Sequence, residues 1–183
     1  MPAALVSQGF ALRPETDDDI AFLTALFAST REEELALVPW SAEQKQAFLS
    51  GQFKAQRHHY RTYNTDCAFS LVTHRGQPIG RLYLECGRRR IHVVDIALMP
   101  SWRAQGIGTA ILTALQDLGR TSHRPVGIMV EKFNPAMRLY RRLGFTDVAG
   151  AAIGIAKILF FLFLFIFLVL LILWLVLVRS VSG

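Results

Sequence analysis

Cysteine is scarce: the 183-residue chain has two, Cys67 and Cys86. They do not form a Cys-x-x-Cys pair, which excludes a zinc ribbon, a thioredoxin-like redox motif and a disulfide scaffold. Both fall in expected strands and read as reduced sheet residues. The first residues, MPAALVSQG, combine no charged start with a long apolar core, so no secretory signal is expected. No basic stripe alternates with aromatics, so nucleic acid is not an expected partner. No Ser/His/Asp or Cys/His arrangement and no metal-ligand spacing stands out. The run Asp17-Asp18-Asp19 follows Thr16 and reads as charge at a helix start rather than as a metal site.

What the chain has in excess is apolar residues at one end. Residues 158–178 are 21 consecutive apolar side chains, ILFFLFLFIFLVLLILWLVLV. The preceding 157 residues are mixed and hold all 14 Asp/Glu and 19 of the 20 Lys/Arg, a balance of +5. At about 1.5 Å per residue, the apolar run can cross a hydrocarbon core of about 30 Å. Lys157 and the group Arg138, Arg141 and Arg142 precede it and only Arg179 follows. The positive-inside bias therefore keeps the N-terminal part cytoplasmic. A membrane tail anchor is the expectation, and its rivals are a non-native C-terminus, such as a shifted reading frame, and a buried helix. A domain this small cannot easily cover a helix apolar all round, which counts against the last. The expected organisation is a domain over 1–150, a linker or partial strand over 151–157, and a membrane-type helix over 158–178.

The rest of the chain is organised around 93–112, VVDIALMPSWRAQGIGTAIL. It opens as an apolar run broken only by Asp95, the pattern of a buried strand. Pro100 ends that strand because it cannot donate to a ladder. A glycine-bearing turn then leads into a helix whose apolar face is Ile107, Ile111, Leu112 and Leu115. Strand, glycine loop, helix is an arrangement that aims backbone N–H groups at a phosphate. Two familiar versions fail on detail. A dinucleotide fingerprint needs a third glycine at 111, which is Ile, and a P-loop needs Gly-Lys-Ser/Thr where Gly108 is followed by Thr109 and Ala110.

Around this stretch the elements alternate. A first strand, Phe10–Pro14, precedes a helix to about residue 28 whose apolar face is Ile20, Phe22, Leu23, Leu26 and Phe27. Residues 29–40 read as a linker. Ser41 with Gln44 is a capping box opening a helix to about residue 58, which buries Phe48, Phe53 and Ala55. Strands are expected at 67–73, 79–85, 91–99 and 125–132. The helix after Gly108 should end at a C-cap on Gly119, and a further helix should be opened by Pro135 and closed by Gly144-Phe145. The alternation indicates an α/β domain on a mixed sheet.

Two motifs carry a family resemblance. Arg103-Ala104-Gln105-Gly106-Ile107-Gly108 fits Arg/Gln-x-x-Gly-x-Gly/Ala. With the preceding Asp95-Ile-Ala-Leu-Met-Pro, it resembles the acetyl-CoA-binding segment of the GNAT superfamily of N-acetyltransferases. Asn134-Pro-Ala-Met-Arg-Leu-Tyr-Arg-Arg-Leu-Gly-Phe145 resembles the last helix of that fold, and the resemblance spans residues 9–148. It implies a mixed, mostly antiparallel central sheet flanked by helices. It also implies transfer of an acetyl group from acetyl-CoA, as co-substrate, to a primary amine by direct attack on the thioester. By the same resemblance the loop Arg103, Ala104, Gln105, Gly106, Ile107, Gly108 and Thr109 holds the pyrophosphate, and the backbone of Ile96, Ala97 and Leu98 pairs with the pantetheine arm. Asn134 matches a position that contacts that arm or the end of its own strand.

Chemically, the transfer needs a neutral amine, an oxyanion donor and a proton for the departing thiolate. Tyr140 falls where many family members place the thiolate's general acid, and a phenol of ordinary pKa about 10 is a protonated donor at neutral pH. For the base, Asp95 lies on the central strand, with Glu85 and Glu131 on its neighbours; Glu85 and Asp95 are favoured. His92 reads as a sheet histidine. The linker borders the acceptor site in GNAT folds, which makes Arg31, Glu32, Glu33 and Trp40 candidates for substrate recognition. After Val148 the pattern breaks off, and a polar final strand is missing. A non-catalytic acyl-CoA-binding or membrane-tethered module is the alternative this break motivates.

Overall fold

The computed structural model describes residues 1–128 and 137–147. A single helical turn, α1 (Ala3–Val6), precedes β1 (Phe10–Pro14). Thr16 then turns the chain, and its backbone N–H and hydroxyl both donate to Asp19 Oδ2, at 2.9 and 3.0 Å. Asp19 is also forked by Arg13 at 2.7 and 2.6 Å, and the Arg13 hydrogen bonds hold its carboxyl far below the usual carboxylate range. That member of the triple aspartate is thus a clamp at the entry to α2 (Ile20–Ser29). A short α3 (Glu32–Ala36) occupies the segment expected as linker, its three leading glutamates favourably placed against the helix dipole. Then comes α4 (Ala42–Tyr63), opened by the expected capping box: Ser41 N–H donates to Gln44 Oε1 and Gln44 N–H to Ser41 Oγ.

The sheet has six strands in chain order: β1, β2 (Cys67–His74), β3 (Gln77–Cys86), β4 (Ile91–Leu98), β5 (Val126–Ile128) and β6 (Thr146–Asp147). The first four pair antiparallel, while β4–β5 and β5–β6 are parallel. The parallel joins are made by α5 (Ile107–Thr121), between β4 and β5, and by the segment holding α6 (Met137–Arg142). The expected mixed, mostly antiparallel sheet is therefore present. In β4 the register slips between Tyr83↔Asp95 and Leu84↔Val93, leaving Val94 as the extra residue of a bulge.

Alternation along the strands divides the core in two. On one face Val72, Leu82, Ile91 and Val93 pack with Ile107, Ile111, Leu112 and Leu115 of α5 and with Tyr140 and Phe145. All four α5 positions expected from the helical period are buried. On the other, Leu71 meets Leu23, Leu26 and Phe27 of α2 and Phe53 of α4. Three expectations need correction. Ala55 is exposed, because α4 turns it away from the sheet that holds Phe53. Ile20, at the first turn of α2, is 39 % exposed. Gly119 is not a cap: α5 continues to Thr121, and a Cβ on Gly119 would lie 2.5 Å from Val126 Cγ2 and 2.7 Å from the Arg124 carbonyl oxygen. It is a packing glycine that lets the end of α5 sit on the start of β5.

Among the described residues no helix is long and apolar enough to cross a membrane. The segment 158–178, expected as a membrane helix, lies outside the described residues, as do Glu131, Asn134, Pro135 and the break after Val148.

Candidate active site

The loop between β4 and α5 has an unusual backbone. Pro100–Trp102 form a 3-10 turn, Ala104 has φ +59° and Gly106 φ +80°. Two left-handed residues so close together bend the chain into a concavity of N–H groups, and a non-glycine residue held there marks stored strain of the kind found at binding sites. Gln105 pins the loop by donating from Nε2 to the Ser101 carbonyl, 2.6 Å. Gly106 serves as N-cap of α5 and has no side chain to satisfy the first amides. The first helical hydrogen bond is Ala110 N–H to the Gly106 carbonyl, 2.9 Å. The N–H groups of residues 104–109 therefore find no acceptor among the described residues. Around Gly106 and Gly108 the space a Cβ would take is open. The outcome is a cluster of unpaired donors at the positive end of a 15-residue helix, with residues 104–106 exposed to solvent.

Arg103, expected to reach the anion, points elsewhere. Its Nε donates to the Leu98 carbonyl at 2.8 Å, and its Nη2 to Ser29 Oγ at 2.8 Å and the Ser29 carbonyl at 3.2 Å. It braces the loop against the end of β4 and the end of α2. What the loop offers a ligand is backbone. Beside it, residues 95–98 of β4, which include Ile96, Ala97 and Leu98, pair on their β3 side and meet no described residue of β5.

Farther along β4, Asp95 is the centre of a polar cluster. Its Oδ2 accepts from Arg81 Nη2 at 2.7 Å and from the Tyr60 hydroxyl at 3.0 Å. Arg81 also donates to Gln56 Oε1, 3.1 Å, and lies over the Tyr83 ring, 5.3 Å from its centre. Burial disfavours the Arg81 charge, yet Asp95, Tyr83 and Tyr60 together raise its pKa above the ordinary arginine value. Burial and then the Asp95 charge push the Tyr60 phenol up. Tyr83 donates to Glu15, whose buried carboxylate also takes Arg57 and Arg61 from α4, at 3.3 and 2.8 Å. These bonds fasten α4 across the sheet.

Tyr140 enters from the opposite face. The residue is 5 % exposed, its ring meets Phe145 edge-on at 6.0 Å, and its hydroxyl has no hydrogen bond among the described residues. Burial, then the charge of Asp95, push its pKa up to about 12. Structure thus brings the expected acid within electrostatic reach of one of the expected bases. Glu85 sits on the far side of the bulge, opposite Cys67 on β2 and His92 on β4. It is half-buried, and its carboxylate has no hydrogen bond or ion pair among the described residues. Burial and then the Arg90 charge pull His92 below its usual range. Cys67 is pushed up to about 11, first by burial and then by Glu85. Its thiolate should be about 100-fold scarcer than that of an ordinary thiol at a given pH. On brief treatment with iodoacetamide near pH 8, peptide mass spectrometry should find the exposed Cys86 alkylated well before Cys67; equal rates would refute this picture of the Cys67 surroundings.

The candidates for substrate recognition lie on the connection from α2 to α4. Arg31 pairs with Glu34 at 3.1 Å and lies 5.8 Å over the Phe27 ring, and its charge reaches Tyr60. Glu32 and Glu33 are exposed on the first turn of α3. Trp40 is 41 % exposed and packs edge-on against Phe48, 5.3 Å between rings. Arg81, Tyr60 and Gln56 were not anticipated.

Residues 65–147 match the family model described as acetyltransferase (GNAT) domain. A second model, a protein family of unknown function (DUF1328), matches residues 142–173. An N-alpha-acetyltransferase of Sulfurisphaera tokodaii is 37% identical over 60 residues, which are 31% of this chain and 36% of that protein, so the match spans about a third of the curated relative. Among solved structures, a PaiA N-acetyltransferase from Thermoplasma acidophilum in complex with coenzyme A superposes with a TM-score of 0.54 at 15% identity, covering 75% of this chain and 89% of that one. A GCN5-related N-acetyltransferase from Ralstonia eutropha gives 0.50 at 16% identity, covering 78% and 95%. At those identities the superpositions speak for the fold.

Proposed function

We propose that this chain, whose residues 65–147 match the acetyltransferase (GNAT) domain model, moves an acetyl group from acetyl-CoA to a primary amine. The observation that carries the proposal is the row of unpaired N–H groups over 104–109 at the head of α5, with the Tyr140 phenol on α6 and the carboxylates of Glu85 on β3 and Asp95 on β4 beyond it. Those donors suit a pyrophosphate, and the backbone of Ile96, Ala97 and Leu98 suits the amide-bearing arm that follows it. The thioester then lies near the Val94 bulge. There the amine nitrogen bonds to the carbonyl carbon, the carbon–sulfur bond breaks, and the thiolate takes the Tyr140 proton. The Glu85 carboxylate, unpaired among the described residues, receives the proton the amine gives up, directly or through water. Arg31, Glu32 and Trp40 form the rim from which the acceptor approaches.

The test is a calorimetric titration with acetyl-CoA, followed by a thiol-release assay across peptide N-termini, lysine, polyamines and amino-sugars. Saturable binding with turnover on at least one of them is the expected result. Binding without turnover on any would leave an acyl-CoA-binding module and defeat the enzymatic reading; no binding would defeat both.

A further inference from the structure

Asp95 is held by one oxygen and open at the other. Both of its donors, Arg81 Nη2 and the Tyr60 hydroxyl, use Oδ2. Oδ1 accepts nothing among the described residues, and the side chain is 14 % exposed. Its partner Arg81 is 4 % exposed, and the Arg81 Nε is buried with no hydrogen bond. The arginine therefore cannot swing out to water to free the carboxylate, and the ring stack of Tyr60 on Tyr83, edge-on at 5.9 Å, fixes the phenol that completes the clamp. The charged and titratable groups around Asp95 are Arg81 and Tyr83 on β3, Tyr60 on α4, Tyr140 on α6 and Cys67 on β2, with Arg31 acting on Tyr60 from the end of α2. Directly beside it on β4 is the Val94 bulge.

We infer that Asp95 Oδ1 is the hydrogen-bond acceptor for the N–H of the incoming amine, and that Arg81 and Tyr60 are positioning residues which select that oxygen and balance its charge. The inference rests on the acetyl-transfer reading above. Its chemical point concerns the protonation state of the acceptor. An unpaired carboxylate would bind the amine as ammonium and keep it protonated, raising its pKa, and an ammonium has no lone pair to attack with. Paired with Arg81, Asp95 forms a nearly neutral couple that still orients an N–H but does not hold the extra proton. Neither positioning residue needs to touch the acceptor.

Tyr60→Phe keeps the ion pair and the ring packing, so it tests the role without unfolding the domain; Arg81→Gln and Arg81→Lys test the charge. Acetyl-CoA affinity by calorimetry should stay within about twofold in all three, because the loop over 104–109 is untouched. The rising limb of kcat against pH, which reports loss of the acceptor's proton in the bound complex, should move upward by several tenths of a unit in Tyr60→Phe. It should move by at least about one unit in Arg81→Gln, and Arg81→Lys should return it toward the parent. A purely structural role would lower the rate at every pH and leave the limb where it was. An unmoved limb in Tyr60→Phe, with kcat/KM for the amine within about twofold of the parent, overturns the inference whatever becomes of the arginine variants. If the parent chain itself binds acetyl-CoA and transfers to no amine, it is the functional reading that fails.

Discussion

Replacing Gly108 with aspartate should abolish acetyl-CoA binding while leaving the empty domain at least as stable as before. The two effects have opposite signs because they come from the same helix terminus. Gly108 is the second residue of α5, its backbone is ordinary, and a Cβ there would meet nothing within 4 Å. An acidic side chain in a first helical turn interacts well with the dipole, by about 0.3–1 kcal/mol, and glycine is a poor helix former, so folding gains from the change. For a pyrophosphate the same carboxylate is a like charge on the spot. At a separation of about 5 Å and an effective dielectric constant of about 20, one pair of unit charges costs about 3 kcal/mol, or more than 100-fold in affinity. Calorimetry and a thermal melt on the same preparation separate the two. An unchanged Kd would move the ligand off the helix terminus altogether. Gly106→Asp would be a poorer test, since φ +80° at Gly106 adds backbone strain to any side chain.

Much of this was legible in the residues themselves. The buried face of α5 follows from its spacing, the Ser41 capping box is found where the sequence puts it, and a helix does start at the charged run after Thr16. Gly119 departs from its expected cap because a glycine near a helix end carries two meanings, a left-handed cap or a close approach, and only the partner surface of Val126 and Arg124 decides between them. The Arg81 cluster was invisible for another reason. Arg81, Asp95 and Tyr60 are brought together from β3, β4 and α4, and no local pattern announces that an arginine on a strand faces inward to an acid 14 residues away. Tyr60 lay past the expected end of its helix. Arg103 shows the limit of a motif: the spacing is the family's, but what its guanidinium does depends on Ser29, which no motif includes.

Tyr140→Phe should lower turnover by about 10²–10³ while acetyl-CoA affinity and fold stability stay near the parent values. The substitution removes one oxygen and keeps the ring in its place against Phe145. Since the hydroxyl has no partner among the described residues, its loss strands no buried group there, and stability should hold within about 0.5 kcal/mol. Burial and Asp95 keep the phenol protonated, with its pKa pushed up to about 12, so at neutral pH it is a proton donor and never a base. The rate should accordingly show no loss assignable to Tyr140 below a pH of about 11. Stability has its own signature. Below a pH of about 10 the phenol is protonated in folded and unfolded chains alike, and its contribution is intact. Above that the unfolded chain ionises first, and stability is lost progressively as the pH rises toward the folded value of about 12. Tyr140→Phe removes its share of this alkaline loss, so the variant should outlast the parent in a melt at high pH and match it at neutral pH. A parent-like rate would take Tyr140 out of the chemistry, and an unchanged alkaline melt would show that the fold does not hold its proton.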